Sequence, residues 1–155
     1  MNNNDILRRL RYALDLNDKK MIEIFKLSDH TIDSPALADL LKKEDQAGYV
    51  ECHNLLLGFF LDGLVIQRRG RQEEKPGQAK KAQGPLNNNA ILKKIRIALE
   101  FKEDDMLGAL KLAGSPVSKS ELSALFRKEG HKNYKACGDQ FLRNFLKGLT
   151  LRFKS

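Results

Sequence analysis

The chain has no tryptophan, only two cysteines, three histidines and four prolines, and aromatics make up 7% of its 155 residues. Two cysteines cannot build a disulfide framework, and no CxxC pair or histidine cluster has the spacing of a structural zinc site, so no metal is expected. His30, His53 and His131 stand too far apart in pattern to be read as ligands; they read as surface or capping residues. The longest apolar run, 55–66, is short and broken by Asp62, which excludes a membrane-spanning helix of ordinary length. The opening Met1-Asn2-Asn3-Asn4-Asp5 lacks the basic and apolar regions of a secretory signal, so a reduced, cytoplasmic setting is expected. Nucleotide-binding glycine loops, GxSxG and HExxH are all missing, and with them the usual signatures of hydrolases, metalloproteases and dinucleotide enzymes. No cofactor and no catalytic residue is therefore assigned, and the enzyme question leans to no.

What the chain does have is a copy of itself. Shifting it by 85 residues lays 2–69 on 87–154 without a gap, with about 22 identities over about 68 positions, far above chance. Asn2-Asn3-Asn4 falls on Asn87-Asn88-Asn89, Tyr49 and Cys52 on Tyr134 and Cys137, and Gly63 on Gly148. The organisation read from this is a first module over 1–70, a linker over 71–86 and a second module over 87–155. The linker, RQEEKPGQAKKAQGPL, has no hydrophobic period and two Pro-Gly or Gly-Pro steps, which predicts flexibility. Lys80-Lys81 within it is the alternative, a short basic arm.

Each module reads as helices. Ile6, Leu7, Leu10, Ala13 and Leu14 recur at helical spacing, as do Ile91, Leu92, Ile95, Ala98 and Leu99, with the Asn triplets placed as N-caps. Second helices are predicted over 18–27 and 103–112, third helices opening at Ser34-Pro35 and at Ser118, and last helices over 54–67 and 139–153. No segment alternates at period two. The fold class is all-α: two tandem homologous modules of four to five helices each, packed together because a core of about 70 residues is marginal alone. Gly63 and Gly148 lie inside the last helices, where glycine costs about 1 kcal/mol against alanine, and read as points of close helix approach.

The differences between the copies carry the functional readings. Leu55, Phe59, Val65 and Ile66 occupy positions that are Gln140, Asn144, Thr150 and Leu151 in the second copy. The first copy's last helix is apolar nearly all round, and these four are predicted to lie at an interface between copies or between chains. The formal net charge of +8 is equally uneven: 1–70 hold 10 basic and 11 acidic residues, whereas 87–155 hold 14 and 7. Arg127, Lys128, Lys132, Tyr134, Lys135, Arg143, Lys147 and Lys154 form a candidate surface for RNA or DNA, with lysine and arginine for phosphates and a tyrosine for stacking. A solvated basic face is the plainer explanation. Arg8, Arg9 and Arg11 and their counterparts Lys93, Lys94 and Arg96 form a second basic set on the first helices, within which Arg11 and Arg96, identical between copies, read alternatively as partners of a carboxylate inside each repeat. Cys52 and Cys137 read as small buried residues, with a helix N-terminus nearby as the one argument for reactivity.

The paired starts NNNDILRRLRYAL and NNNAILKKIRIAL, the segment LLKKED and the run HKNYKACGDQFLRNFLKGL resemble the YehS-like family of bacterial proteins. That resemblance covers the chain outside the linker and implies two tandem copies of a helical domain in a cytoplasmic bacterial protein. It implies no activity, cofactor or catalytic residue. The expected function is binding of a macromolecular partner, through the basic second copy to nucleic acid, or through the apolar last helix of the first copy to a protein or a second chain.

Overall fold

In the computed structural model, residues 1–70 and 86–154 are described; the linker up to residue 85, with its Lys80-Lys81, lies outside them. Among the described residues there are eight helices and no strand: α1 (Asn3–Ala13), α2 (Asp18–Leu27), α3 (Ser34–Leu40), α4 (Asn54–Arg69), α5 (Asn88–Leu99), α6 (Glu103–Leu112), α7 (Lys119–Leu125) and α8 (Asp139–Lys154). The first four recur as the second four, so the molecule is all-α and internally duplicated. No helix among the described residues is long and apolar enough to cross a membrane.

The helix starts follow cap chemistry. Asn2 and Asn87 accept the third backbone N–H of α1 and α5, and Ser118 does the same for α7. One start differs from the sequence reading. Asp33, not Ser34, caps α3, because its carboxylate accepts the Ala36 N–H, and Pro35 sits in the first turn where no N–H is needed. The chain leaves α1 and α5 by the same route, with Asp15 and its counterpart Glu100 both at φ 55°.

Packing is set by two glycines. A Cβ on Gly63 would lie within contact of the Ile24 carbonyl oxygen and 2.8 Å from its carbon, and one on Gly148 would meet the Ala109 carbonyl, 2.6 Å from its carbon. Ile24 and Ala109 are themselves counterparts, so in each copy the last helix lies directly on the backbone of the second, as the paired glycines predicted. Phe25, Phe60, Leu57 and Leu61 fill the space behind the first contact, Leu110, Phe145, Leu142 and Leu146 the second, and all are fully buried.

The two copies pack through their first and last helices. α5 lies against α4, and α1 lies against α8. Lys94 pairs with Asp62 and Arg69 with Glu100 across the first seam. Across the second, the Met1 amino group meets Asp139 at one end, and Lys154 meets Asp15 (3.9 Å) and the Tyr12 ring (4.4 Å) at the other. Both seams are thus parallel helix pairs, related by the 85-residue shift. α4 is enclosed by α2 on one side and α5 on another, which its all-round apolar character requires.

Candidate nucleic-acid interface

The Asn triplets do more than cap. Asn3 and Asn88 reach across to the start of the last helix, donating to the Cys52 and Cys137 carbonyls and to Asn54 and Asp139. Asn4 is fully buried and saturated: its amide donates to the Leu40 and Val50 carbonyls, and its oxygen accepts from the Cys52 N–H and the Tyr49 hydroxyl. Asn89 repeats this with the Leu125 and Lys135 carbonyls and the Cys137 N–H. Each Asn therefore pins a long loop, 41–53 in the first copy and 126–138 in the second, to its own first helix. Matching backbone bonds complete the pair: Val50 N–H to the Asp39 carbonyl (3.3 Å) and Lys135 N–H to the Ala124 carbonyl (3.1 Å), Tyr49 to Gln46 and Tyr134 to His131.

On this shared backbone the charges are opposed. Loop 41–53 has two basic and three acidic residues; loop 126–138 has four basic and one acidic. Asp45 and Glu51 have become Gly130 and Ala136, while Ala47 and Val50 have become Lys132 and Lys135. Lys42 is neutralised by Asp39 at 2.8 Å, but its counterpart Arg127 faces Ala124 in place of that aspartate. Arg127, Lys128, Lys132 and Lys135 are all exposed and have no ion-pair partner among the described residues. Tyr134 is half-buried, and its hydroxyl makes no bond to Asn89, whereas the Tyr49 hydroxyl is tied to Asn4.

The remaining predicted residues lie on α8. Arg143 and Lys147 share one stripe of the helix, with Arg143 donating to Gln140 and Lys147 exposed and unpaired. Lys154 is two turns further on and already engaged by Asp15 and Tyr12, so it stands apart from the loop. Phe59 and Val65 pack at the edge of the core, Phe59 stacked on His30 at 5.1 Å; Ile66 is half-buried and Leu55 is 71% exposed. Arg11 pairs with Asp18 as expected. Arg96 departs from expectation: its Nε donates to the Phe101 carbonyl and its guanidinium lies 4.7 Å over Phe126, although the counterpart of Asp18 is the acidic Glu103. No group of three or more metal-ligating side chains occurs among the described residues.

The cysteines sit in the pinned loops. Burial pushes the Cys52 thiol up to about 12 and the Cys137 thiol up to about 11, and Glu51 and Asp139 push in the same direction. Desolvation thus outweighs the nearby helix N-termini. At pH 8 roughly one thiol in a thousand is ionised at Cys137 against roughly a quarter for a free cysteine. A disulfide-exchange reagent is expected to leave both thiols unlabelled until denaturant unfolds the chain, and fast labelling of the native protein would contradict this placement.

Sequence reasoning missed the tethering role of Asn4 and Asn89 and the missing partner of Arg127. Both had a signal: three identical asparagines where one cap suffices, and an aspartate-to-alanine change three residues before a retained cation.

The molecule is an internally duplicated all-α protein whose copies share a backbone and differ in surface charge. A family profile described as "Protein of unknown function (DUF1456)" matches residues 3–70 and again 88–154, and the chain belongs to that family. Over 152 residues it is 41% identical to the "Uncharacterized protein YehS" of Escherichia coli (strain K12), covering 98% of this chain and 96% of that protein. No solved structure matches.

Proposed function

We propose that the protein is a non-enzymatic nucleic-acid-binding protein that holds single strands on loop 126–138. The observation that carries this reading is the comparison of the two loops: the same pinned backbone, with four unpaired cations on the second copy against one, Lys43, on the first. Phosphates need cations that are not already spent on carboxylates, and a base needs an aromatic face, which Tyr134 supplies between Lys132 and Lys135. Four phosphate contacts give a log–log salt slope of about −3 on a single strand, so affinity is expected to fall about 50-fold between 50 and 200 mM salt. Fluorescence anisotropy with labelled RNA and DNA strands measures this. Arg127→Glu combined with Lys132→Glu is expected to weaken binding about a hundredfold at low salt. Salt-independent binding, or none at low salt, defeats the reading.

A second reading, docking of a protein or a second chain on the first copy, is favoured by Val50 and Leu55, 48% and 71% exposed where the second copy has Lys135 and Gln140. Sedimentation over a concentration series tests it: self-association abolished by Leu55→Lys supports it, and a monomer at every concentration removes self-association.

A further inference from the structure

The two seams between the copies are equivalent in backbone and unequal in charge. In the α4–α5 seam, Asp62 and Lys94 form an ion pair, both partly buried. The 85-residue shift carries Asp62 onto Lys147 and Lys94 onto Arg9. The α1–α8 seam therefore sets two cations where its twin has a cation and an anion. Its ends locate them: with Met1 at Asp139 and Tyr12 at Lys154, parallel helices put Arg9, near the middle of α1, level with Lys147, near the middle of α8. Both are exposed, and neither has an ion-pair or side-chain hydrogen-bond partner among the described residues. The acids carried by α1 and α8 are already engaged, Asp5 by Arg8 and Asp139 by Asn88 and the Met1 amino group. Arg143, one turn before Lys147 on the same stripe, adds a third positive group, hydrogen-bonded to the neutral Gln140 and within electrostatic reach of Asp139.

We propose that the α1–α8 seam binds a phosphate group between Arg9 and Lys147, with Arg143 as a further donor. An anion there supplies the negative charge that Asp62 supplies in the twin seam, turning a like-charge juxtaposition into two charge-assisted contacts. The site needs both copies, since Arg9 comes from the first and Lys147 from the second, and it stands independently of the loop. The phosphate belongs either to a free phosphoanion or to a nucleic-acid backbone.

The test is a titration of the full chain with pyrophosphate at constant ionic strength, followed by backbone amide shifts. Saturable shifts are expected around Arg9 on α1 and Lys147 on α8. Lys147→Asp, which gives Arg9 a carboxylate as Asp62 gives Lys94, should fold and weaken pyrophosphate about tenfold or more, the worth of one charge-assisted bond. The loop variant Arg127→Glu with Lys132→Glu should leave the titration unchanged, so failure of the loop reading and failure of the seam site are told apart. Displacement of pyrophosphate by an oligonucleotide identifies a phosphodiester as the source; persistence identifies a free phosphoanion; both support the site. Uniform, unsaturable shifts, or equal affinity in Lys147→Asp, overturn it.

Discussion

Gly63→Ala and Gly148→Ala are each expected to destabilise the fold by about 3 kcal/mol, toward the upper end of overpacking costs. In each case the new methyl meets a backbone carbonyl, of Ile24 or Ala109, which no rotamer change can move aside. The last helix must then back away from the second, opening space around side chains that are fully buried. The helix-propensity gain of about 1 kcal/mol for alanine offsets only part of this. A chain of this length should lose about 6–12 °C in melting midpoint. Gly58 and Gly108 provide the control of opposite sign. They are also inside helices, but nothing lies within 4 Å of a Cβ on either, and their counterparts are Arg143 and Glu23, which carry full side chains. Gly58→Ala and Gly108→Ala are expected to stabilise by about 0.5–1 kcal/mol. Thermal melts of the four variants check the pattern; if all four move in one direction, close approach at Gly63 and Gly148 is not what those glycines provide.

These glycines also show which features were legible from the chain. A residue costly in a helix and present at the same place in both copies has a packing reason, and the repeat itself made that visible. Helix positions were equally legible, since Ile6, Leu7 and Leu10 mark a buried face whatever lies against it. What periodicity cannot say is which partner covers the face. α1 packs beside α8, and α5 beside α4, through contacts some 138 residues apart in the case of Met1 and Asp139. Such pairings depend on the shape of both surfaces, not on either pattern alone. The candidate interface was half legible: the cations were countable, but their freedom was not. Whether Arg127 is available depends on residue 124 across a turn, and Lys154, alike in sequence, is occupied by Asp15. Comparing the copies pair by pair, rather than summing charge over each, separates the two.

Asn4→Ala is expected to cost about 3–5 kcal/mol, because it strands buried backbone groups whose separate penalties are about 1–3 kcal/mol each. The Leu40 and Val50 carbonyls and the Cys52 N–H lose their partner together, and the Tyr49 hydroxyl loses its acceptor. Asn4→Asp should be no better: its carboxylate would face two carbonyl oxygens that now accept from the amide. Asn89→Ala is expected to cost less, since Asn89 is only partly buried and holds three bonds, so water can reach part of what is left. Denaturant unfolding of the three variants measures the ranking, and Tyr49→Phe, removing one bond of four, should sit near 1 kcal/mol. Asn89→Ala has a second consequence that a purely structural residue elsewhere in the fold would not share. It removes no charge, yet it frees loop 126–138 from α5, so the cations on it must be ordered again when a strand binds. Affinity for single strands is therefore expected to fall about tenfold with the salt slope unchanged, the opposite of a charge reversal, which lowers both. Equal affinity in Asn89→Ala would place the binding surface away from the loop, and a reduced slope would mean that the loop's cations no longer reach the phosphates at all.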